Sequence, residues 1–231
     1  MLLPPFAKLP CAMQNERVLP FYQALRRKRG QLFLKRGIDI LLALLLLLLL
    51  AVPMAVIATM IAAERDGSVL FRQQRVTQYL KPFTIYKFRT MTPAPQKNPQ
   101  ARITVHNDRR ITALGAFLRR YRLDELPQLF NILKGDLSFV GPRPELACFV
   151  ACYDDTMLST LLLPAGLTAP ASLKFCDETK YLDAPDSERV YKELLLPRKM
   201  ALNVAYIREF SIARDIAVLF ATLKHFLRAT G

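Results

Sequence analysis

The chain has 231 residues, 33 Lys and Arg against 19 Asp and Glu, and a formal charge of +14, a balance that suits phosphorylated small molecules, anionic lipid or nucleic acid. An apolar fraction of 52% excludes a disordered basic tail, and the length allows one domain of ordinary size, or one with a small appendage. The four cysteines form no CxxC pair, and Cys148 and Cys152 have no histidine near them in sequence, which argues against a zinc site and for reduced thiols in a cytosolic setting.

Residues 1–32 contain Pro4, Pro5, Pro10 and Pro20 and read as an irregular basic extension, of which residues 17–29 mix apolar and basic side chains as a lipid-surface segment would. Residues 33–63 read as a membrane segment. From 38 to 63 it is apolar apart from Asp39 and Thr59, and Leu44 to Leu50 are seven consecutive leucines. As a straight helix this stretch is about 39 Å long, enough to cross a hydrocarbon core of about 30 Å. Two features argue against crossing. Pro53 removes a helix hydrogen bond in mid-segment. Cations also flank both ends: Arg26, Arg27, Lys28, Arg29, Lys35 and Arg36 before, and Arg65, Arg72, Arg75, Lys81 and Lys87 after, which the positive-inside rule keeps in the cytoplasm. The predicted form is therefore a re-entrant helix hairpin that enters, bends near Pro53 and returns. Its first limb, of about 22 Å, is too short to span. Asp39 is expected at the interface, paired with Lys35 or Arg36.

Residues 64–231 are expected to form a compact cytosolic catalytic domain. Strands are predicted at 68–72 and 82–88, a proline-rich loop at 92–100, a helix at 111–121 and another at 124–134 that Gly135 stops. Pro164 and Gly166 mark a turn. Residues 187–227 are helical in pattern, with breaks at Pro197 and near Ser211, and the final apolar stretch suits either the core or the bilayer. The expected fold class is α+β and mostly helical, with amphipathic interfacial helices and a few short strands.

The chemistry concentrates at Asp124 and Glu125. Asp124 could simply cap a helix. Yet adjacent acids beside Lys87, Arg89, Arg119, Arg120, Arg122 and Arg143 suit a phosphorylated substrate. A carboxylate can attack phosphorus, and a neighbouring acid can hold Mg²⁺ together with substrate phosphates. Arginine matches phosphate through its planar fork, and Arg143 is stiffened between Pro142 and Pro144. The rival reading is a non-catalytic basic membrane module that binds anionic lipid or nucleic acid, which explains the charge but neither the paired acids nor the Pro-Arg-Pro turn.

Five blocks resemble the bacterial sugar transferases, the small monotopic polyprenyl-phosphate phosphoglycosyl transferases: Lys35-Arg-Gly-Ile-Asp39, Gly67-Ser-Val-Leu-Phe-Arg-Gln-Gln-Arg-Val76, Lys81-Pro-Phe-Thr-Ile-Tyr-Lys-Phe-Arg-Thr-Met91, Ile111-Thr-Ala-Leu-Gly115, and the long block from Leu123 to Pro144. The resemblance implies transfer of a sugar 1-phosphate from a nucleotide sugar, commonly a UDP-sugar, to polyprenyl phosphate, with UMP released, at the cytoplasmic face of a bacterial inner membrane. It implies Asp124 as nucleophile, with a covalent phosphosugar intermediate, and Glu125 with Asp124 as the Mg²⁺ site. Lys87 and Arg119 match basic positions near the dyad, and Arg143 matches the nucleotide-side arginine. Arg36, Asp39 and Pro53 match the entry pair and the breaking proline of the membrane helix. Membrane lipids are expected partners, nucleic acid is not, and a dimer is the expected oligomer. The chain departs from the family at Thr77-Gln-Tyr-Leu80 and Leu163-Pro-Ala-Gly-Leu-Thr-Ala169. It is expected to be a minimal form without preceding spanning helices.

Overall fold

The computed structural model describes residues 3–65, 67–92, 108, 110–175 and 187–230. The expected loop beyond Thr92, His106 and Cys176 lie outside these residues. Helix α1 (Leu19–Arg27) leads into the long α2 (Arg29–Ala63), then a hairpin of β1 (Leu70–Val76) and β2 (Pro82–Phe88). Next come α3 (Ala113–Arg120), a 3₁₀ turn (Leu123–Glu125), α4 (Gln128–Lys134) and β3 (Leu137–Val140). The second half holds α5 (Ala147–Val150), a 3₁₀ turn (Met157–Leu162), β4 (Ala165–Thr168) and α6 (Pro170–Lys174). Last come α7 (Ser187–Val190), a π-helical turn (Tyr191–Leu195), α8 (Leu196–Arg208) and α9 (Ile212–Thr230). Strands β1 and β2 pair antiparallel, and β3 and β4 pair parallel.

The N-terminal segment is not an irregular appendage. Leu9, Met13, Val18, Phe21, Tyr22 and Leu25 are buried in the main core with Leu129, Ile132, Phe139, Leu162 and Tyr206. The apolar face of α1 is therefore covered by protein rather than by lipid.

Helix α2 runs unbroken through Pro53 and starts before the apolar stretch, because Leu32 and Lys35 already face the core. Its middle leaves the body: Leu48 is 77% exposed, and Leu49 and Val52 are exposed too. Toward its end it returns to protein, where Ile57 and Ile61 pack in a separate cluster with Phe88 and Leu118.

Both ends of α2 are fastened. Lys35 Nζ donates to Val140 O at 2.8 Å and pairs with Asp215 Oδ2 at 2.6 Å. Arg36 donates to Ile132 O at 2.6 Å and Leu133 O at 2.8 Å, so it serves two carbonyls in the last turn of α4, where a cation also complements the helix dipole. Asp39 is buried and accepts from Ser138 Oγ and the Phe139 amide, each at 3.1 Å. The expected pairing of Asp39 with Lys35 or Arg36 at an interface is thus corrected: Asp215 has taken Lys35, and Asp39 turns its Oδ1 to β3 while its Oδ2 is buried without a hydrogen bond among the described residues. At the far end Arg89 donates to Ile61 O at 2.9 Å and Ser68 O at 3.1 Å and pairs with Glu64 at 3.3 Å.

Candidate active site

The dyad lies on a turn, not in the first turn of a helix. The expected helix over 124–134 is split, because Pro127 carries the chain from the 3₁₀ turn into α4. Gly135 stops α4 as expected, with φ 90°. Arg122, just before the turn, adopts φ 54°, a left-handed conformation that non-glycine residues hold only when their surroundings enforce it.

Asp124 is only 7% exposed. Its carboxylate accepts no hydrogen bond among the described residues, so it caps nothing. Burial pushes its carboxyl above the usual aspartate range. Lys87 pulls it back, Glu125 pushes it up again, and Arg119 and Arg122 lower it. Glu125 is the opposite case. Burial alone would raise it, but Lys87, Arg143 and Arg122 outweigh burial and hold it at about 2. Its Oε1 accepts from Lys87 Nζ at 2.6 Å, with Arg122 at 3.9 Å and Arg143 at 4.0 Å.

Each cation is placed by its element. Lys87 shares a face of β2 with buried Phe83 and Ile85, so strand alternation directs its amine inward. Arg119 sits in the last turn of α3, with Nη2 3.9 Å from Met91 Sδ. That helix is seated by a close approach: a Cβ at Gly115 would lie 2.1 Å from Thr90 O. Arg143 comes on the Pro142-Arg143-Pro144 turn, whose flanks are bonded. Gly141 N donates to Thr168 O at 3.0 Å, and Gly166 N donates to Pro142 O at 2.8 Å. The two glycines touch, since a Cβ on Gly166 would lie 2.1 Å from Gly141 N.

The structure thus brings together Asp124, Glu125, Lys87, Arg119 and Arg143 and adds Arg122, which sequence reading put only among the general cations. It does not bring Arg89 to them. Arg89 is corrected from substrate contact to a buried tie on α2: it lies just past β2, where its guanidinium meets Ile61 O, Ser68 O and Glu64, and no sequence signal separates it from Lys87. Arg36, Asp39 and Pro53 belong to α2 and lie outside the dyad's immediate shell.

Among the described residues no group of three or more His, Cys, Asp or Glu is gathered as a metal cage. Two neighbouring carboxylates remain, with Asp124 and Glu125 Oε2 free of hydrogen bonds among the described residues. That donor set fits Mg²⁺, which binds through one or two carboxylates and takes its other oxygens from phosphate and water.

A family model described as bacterial sugar transferase matches residues 30–229. A UDP-N-acetylgalactosamine-undecaprenyl-phosphate N-acetylgalactosaminephosphotransferase of Aeromonas hydrophila is 34% identical over 202 residues, which cover 86% of this chain and 45% of that protein. An undecaprenyl-phosphate galactose phosphotransferase of Salmonella typhimurium is 34% identical over 218 residues, 88% of this chain and 42% of that protein. A putative undecaprenyl-phosphate N-acetylgalactosaminyl 1-phosphate transferase of Bacillus subtilis is 45% identical over 125 residues, 54% of this chain and 69% of that protein. The chain spans less than half the length of the first two relatives.

Proposed function

The chain belongs to the bacterial sugar transferase family, and from that premise we propose that it moves a sugar 1-phosphate from a UDP-sugar to polyprenyl phosphate through a covalent intermediate on Asp124. The observation that carries this reading is the contrast within the dyad. Asp124 is unengaged and pushed up by burial, while Glu125 is fixed and ionised among three cations. A carboxylate that accepts no hydrogen bond among the described residues is available as a nucleophile, and its neighbour is shaped to hold charge in place.

In the first displacement an Asp124 oxygen attacks the phosphorus that bears the sugar. The bond from that phosphorus to the uridine-side phosphate oxygen breaks, and UMP leaves with the electron pair. Arg143 and Lys87 face the negative charge that grows on the phosphate oxygens. In the second displacement a phosphate oxygen of the lipid carrier attacks the same phosphorus. The Asp124 ester bond breaks, restoring the carboxylate and giving polyprenyl-diphosphate sugar. Mg²⁺, held by Glu125 and Asp124 with substrate phosphates, supplies charge neutralisation when bound.

The reaction needs a lipid phosphate at the dyad, so the reading includes a re-entrant α2 on the cytoplasmic face of the inner membrane. Fastening of both ends of α2 to one protein body supports this, since a spanning helix would carry one end about 30 Å away across the bilayer. The exposed apolar middle of the helix supports burial in lipid.

The test is incubation of the purified chain with Mg²⁺, polyprenyl phosphate and a panel of UDP-sugars, with UMP as readout. Without the lipid acceptor, a sugar-phosphate adduct on Asp124 is expected by intact mass. Asp124→Asn should lower turnover at least about a thousandfold and abolish the adduct. Turnover retained in that variant removes Asp124 as nucleophile.

A further inference from the structure

Glu145 follows the Pro-Arg-Pro turn directly, and its carboxylate is buried at 4% exposure. Its Oε1 accepts from Tyr191 Oη and from Lys199 Nζ, the latter at 3.3 Å. Lys199 Nζ also donates to Tyr191 Oη at 2.9 Å and lies 4.9 Å from the centre of that ring. Arg75 approaches from β1. Its Nη1 donates to Pro144 O at 3.3 Å, and its charge faces both Glu145 and Arg143. The Glu145 backbone is tied too, because Val76 N donates to Glu145 O at 3.0 Å.

The placement of these groups is unusual in three respects. A lysine and a glutamate are buried together, an arrangement that stabilises little beyond what apolar residues would give. Tyr191 opens a π-helical turn, a form found in short pieces and often near functional sites. Phe149, centred 4.5 Å from the Tyr191 ring, and Leu195, Leu196 and Met200 enclose the tyrosine in a small core of its own. The result is a rigid block built from distant parts of the chain and attached to the residue that follows one turn. That turn presents Arg143 within 4.0 Å of Glu125.

We infer that Glu145, Tyr191 and Lys199 are positioning residues that set Arg143 for the nucleotide-side phosphate of the donor. The inference rests on the proposed reaction for the identity of the donor, but the anion-binding role of Arg143 can be tested apart from turnover. Glu145 and its partners act through the turn backbone and touch no substrate.

The experiment measures steady-state kinetics for UDP-sugar and polyprenyl phosphate and, separately, equilibrium binding of pyrophosphate, in the full chain and in Glu145→Gln, Lys199→Met, Arg143→Ala and the pairs that combine Arg143→Ala with each. Glu145→Gln and Lys199→Met should each raise the donor KM and the pyrophosphate Kd about tenfold, as expected for a misplaced clamp. In the same variants kcat and the KM for the lipid acceptor should move less than about threefold. In the Arg143→Ala background neither substitution should add anything, since residues acting through one group are not additive. Tyr191→Phe removes one hydroxyl and keeps the Lys199–Glu145 contact, so it serves if the charge variants fail to fold. It should raise both constants about threefold.

Unchanged donor KM and pyrophosphate Kd in folded variants, or full additivity with Arg143→Ala, overturns the inference. Pyrophosphate binding by the parent that does not depend on Arg143 overturns it as well. If no UDP-sugar turns over while pyrophosphate binding follows the expected pattern, the positioning role stands and the proposed reaction falls.

Discussion

At Asp124, burial and a neighbouring carboxylate push the carboxyl upward while Lys87, Arg119 and Arg122 pull it down, with burial the largest influence. In the proposed reaction, the raised value means that the ionised, attacking form is lost earlier on acidification than at an ordinary aspartate. Activity should therefore rise with pH through a limb above the usual aspartate range. Lys87→Met removes the strongest downward pull and should move that limb to higher pH, read from the pH dependence of UMP release. Glu125 gives the opposite sign. Its value of about 2 lies below its ordinary 4.5, so its ion pair adds stability above the ordinary value that is lost as pH falls from there toward 2. Denaturation of the parent should steepen over that window, and Lys87→Met should flatten it and cost about 1–3 kcal/mol near neutrality, because Arg122 and Arg143 remain. The dyad and its arginines were legible as residues because paired acids among cations are rare. The contrast in their pairing, Glu125 held by an ion pair and Asp124 free of hydrogen bonds among the described residues, was not, because it depends on Lys87 arriving from β2, 38 positions away from Glu125.

The long helix shows what periodicity can and cannot reveal about an element. Its apolar run was plain in the sequence, but its start at Arg29 was not, since Lys35 and Asp39 are buried by polar partners that no hydrophobic pattern marks. Lys35 lies among Asp215, Tyr206 and Asp39, and Asp215 is raised by burial first, with Lys35 the main opposing influence. Lys35→Met leaves two buried carboxylates facing each other and should cost about 3–5 kcal/mol in chemical denaturation. Lys35→Met with Asp215→Leu should recover part of that loss. The parallel pair β3–β4 was missed for a related reason: β3 is buried along all four residues and so shows no alternation. The departure from the family pattern at Leu163–Ala169 falls on β4, where Gly166 is needed for contact with Gly141.

For the whole molecule, charge and greasiness were visible from composition, but their arrangement was not. The N-terminal residues, read as a separate extension, are part of the core because Phe21, Tyr22 and Leu25 share one face of α1. The last helix, left open between core and bilayer, has one buried and one exposed face: Asp215 and Val218 face inward, while Ile216, Phe220 and Leu223 are exposed. In the proposed topology, cysteines placed at Arg29 and Arg65 should both react with an impermeant thiol reagent from the cytoplasmic side alone, after Cys11, Cys148, Cys152 and Cys176 are replaced. Labelling of the two from opposite sides would make α2 a spanning helix. Arg36 grips the end of α4, and the dyad begins the stretch of backbone that α4 continues. The long apolar helix and the dyad are therefore one mechanical piece. In the proposed topology the height of Asp124 above the headgroups would be fixed like that of a tool on a short rigid arm, and a thinner or thicker bilayer would have to deform around the protein rather than retune the distance between acid and carrier.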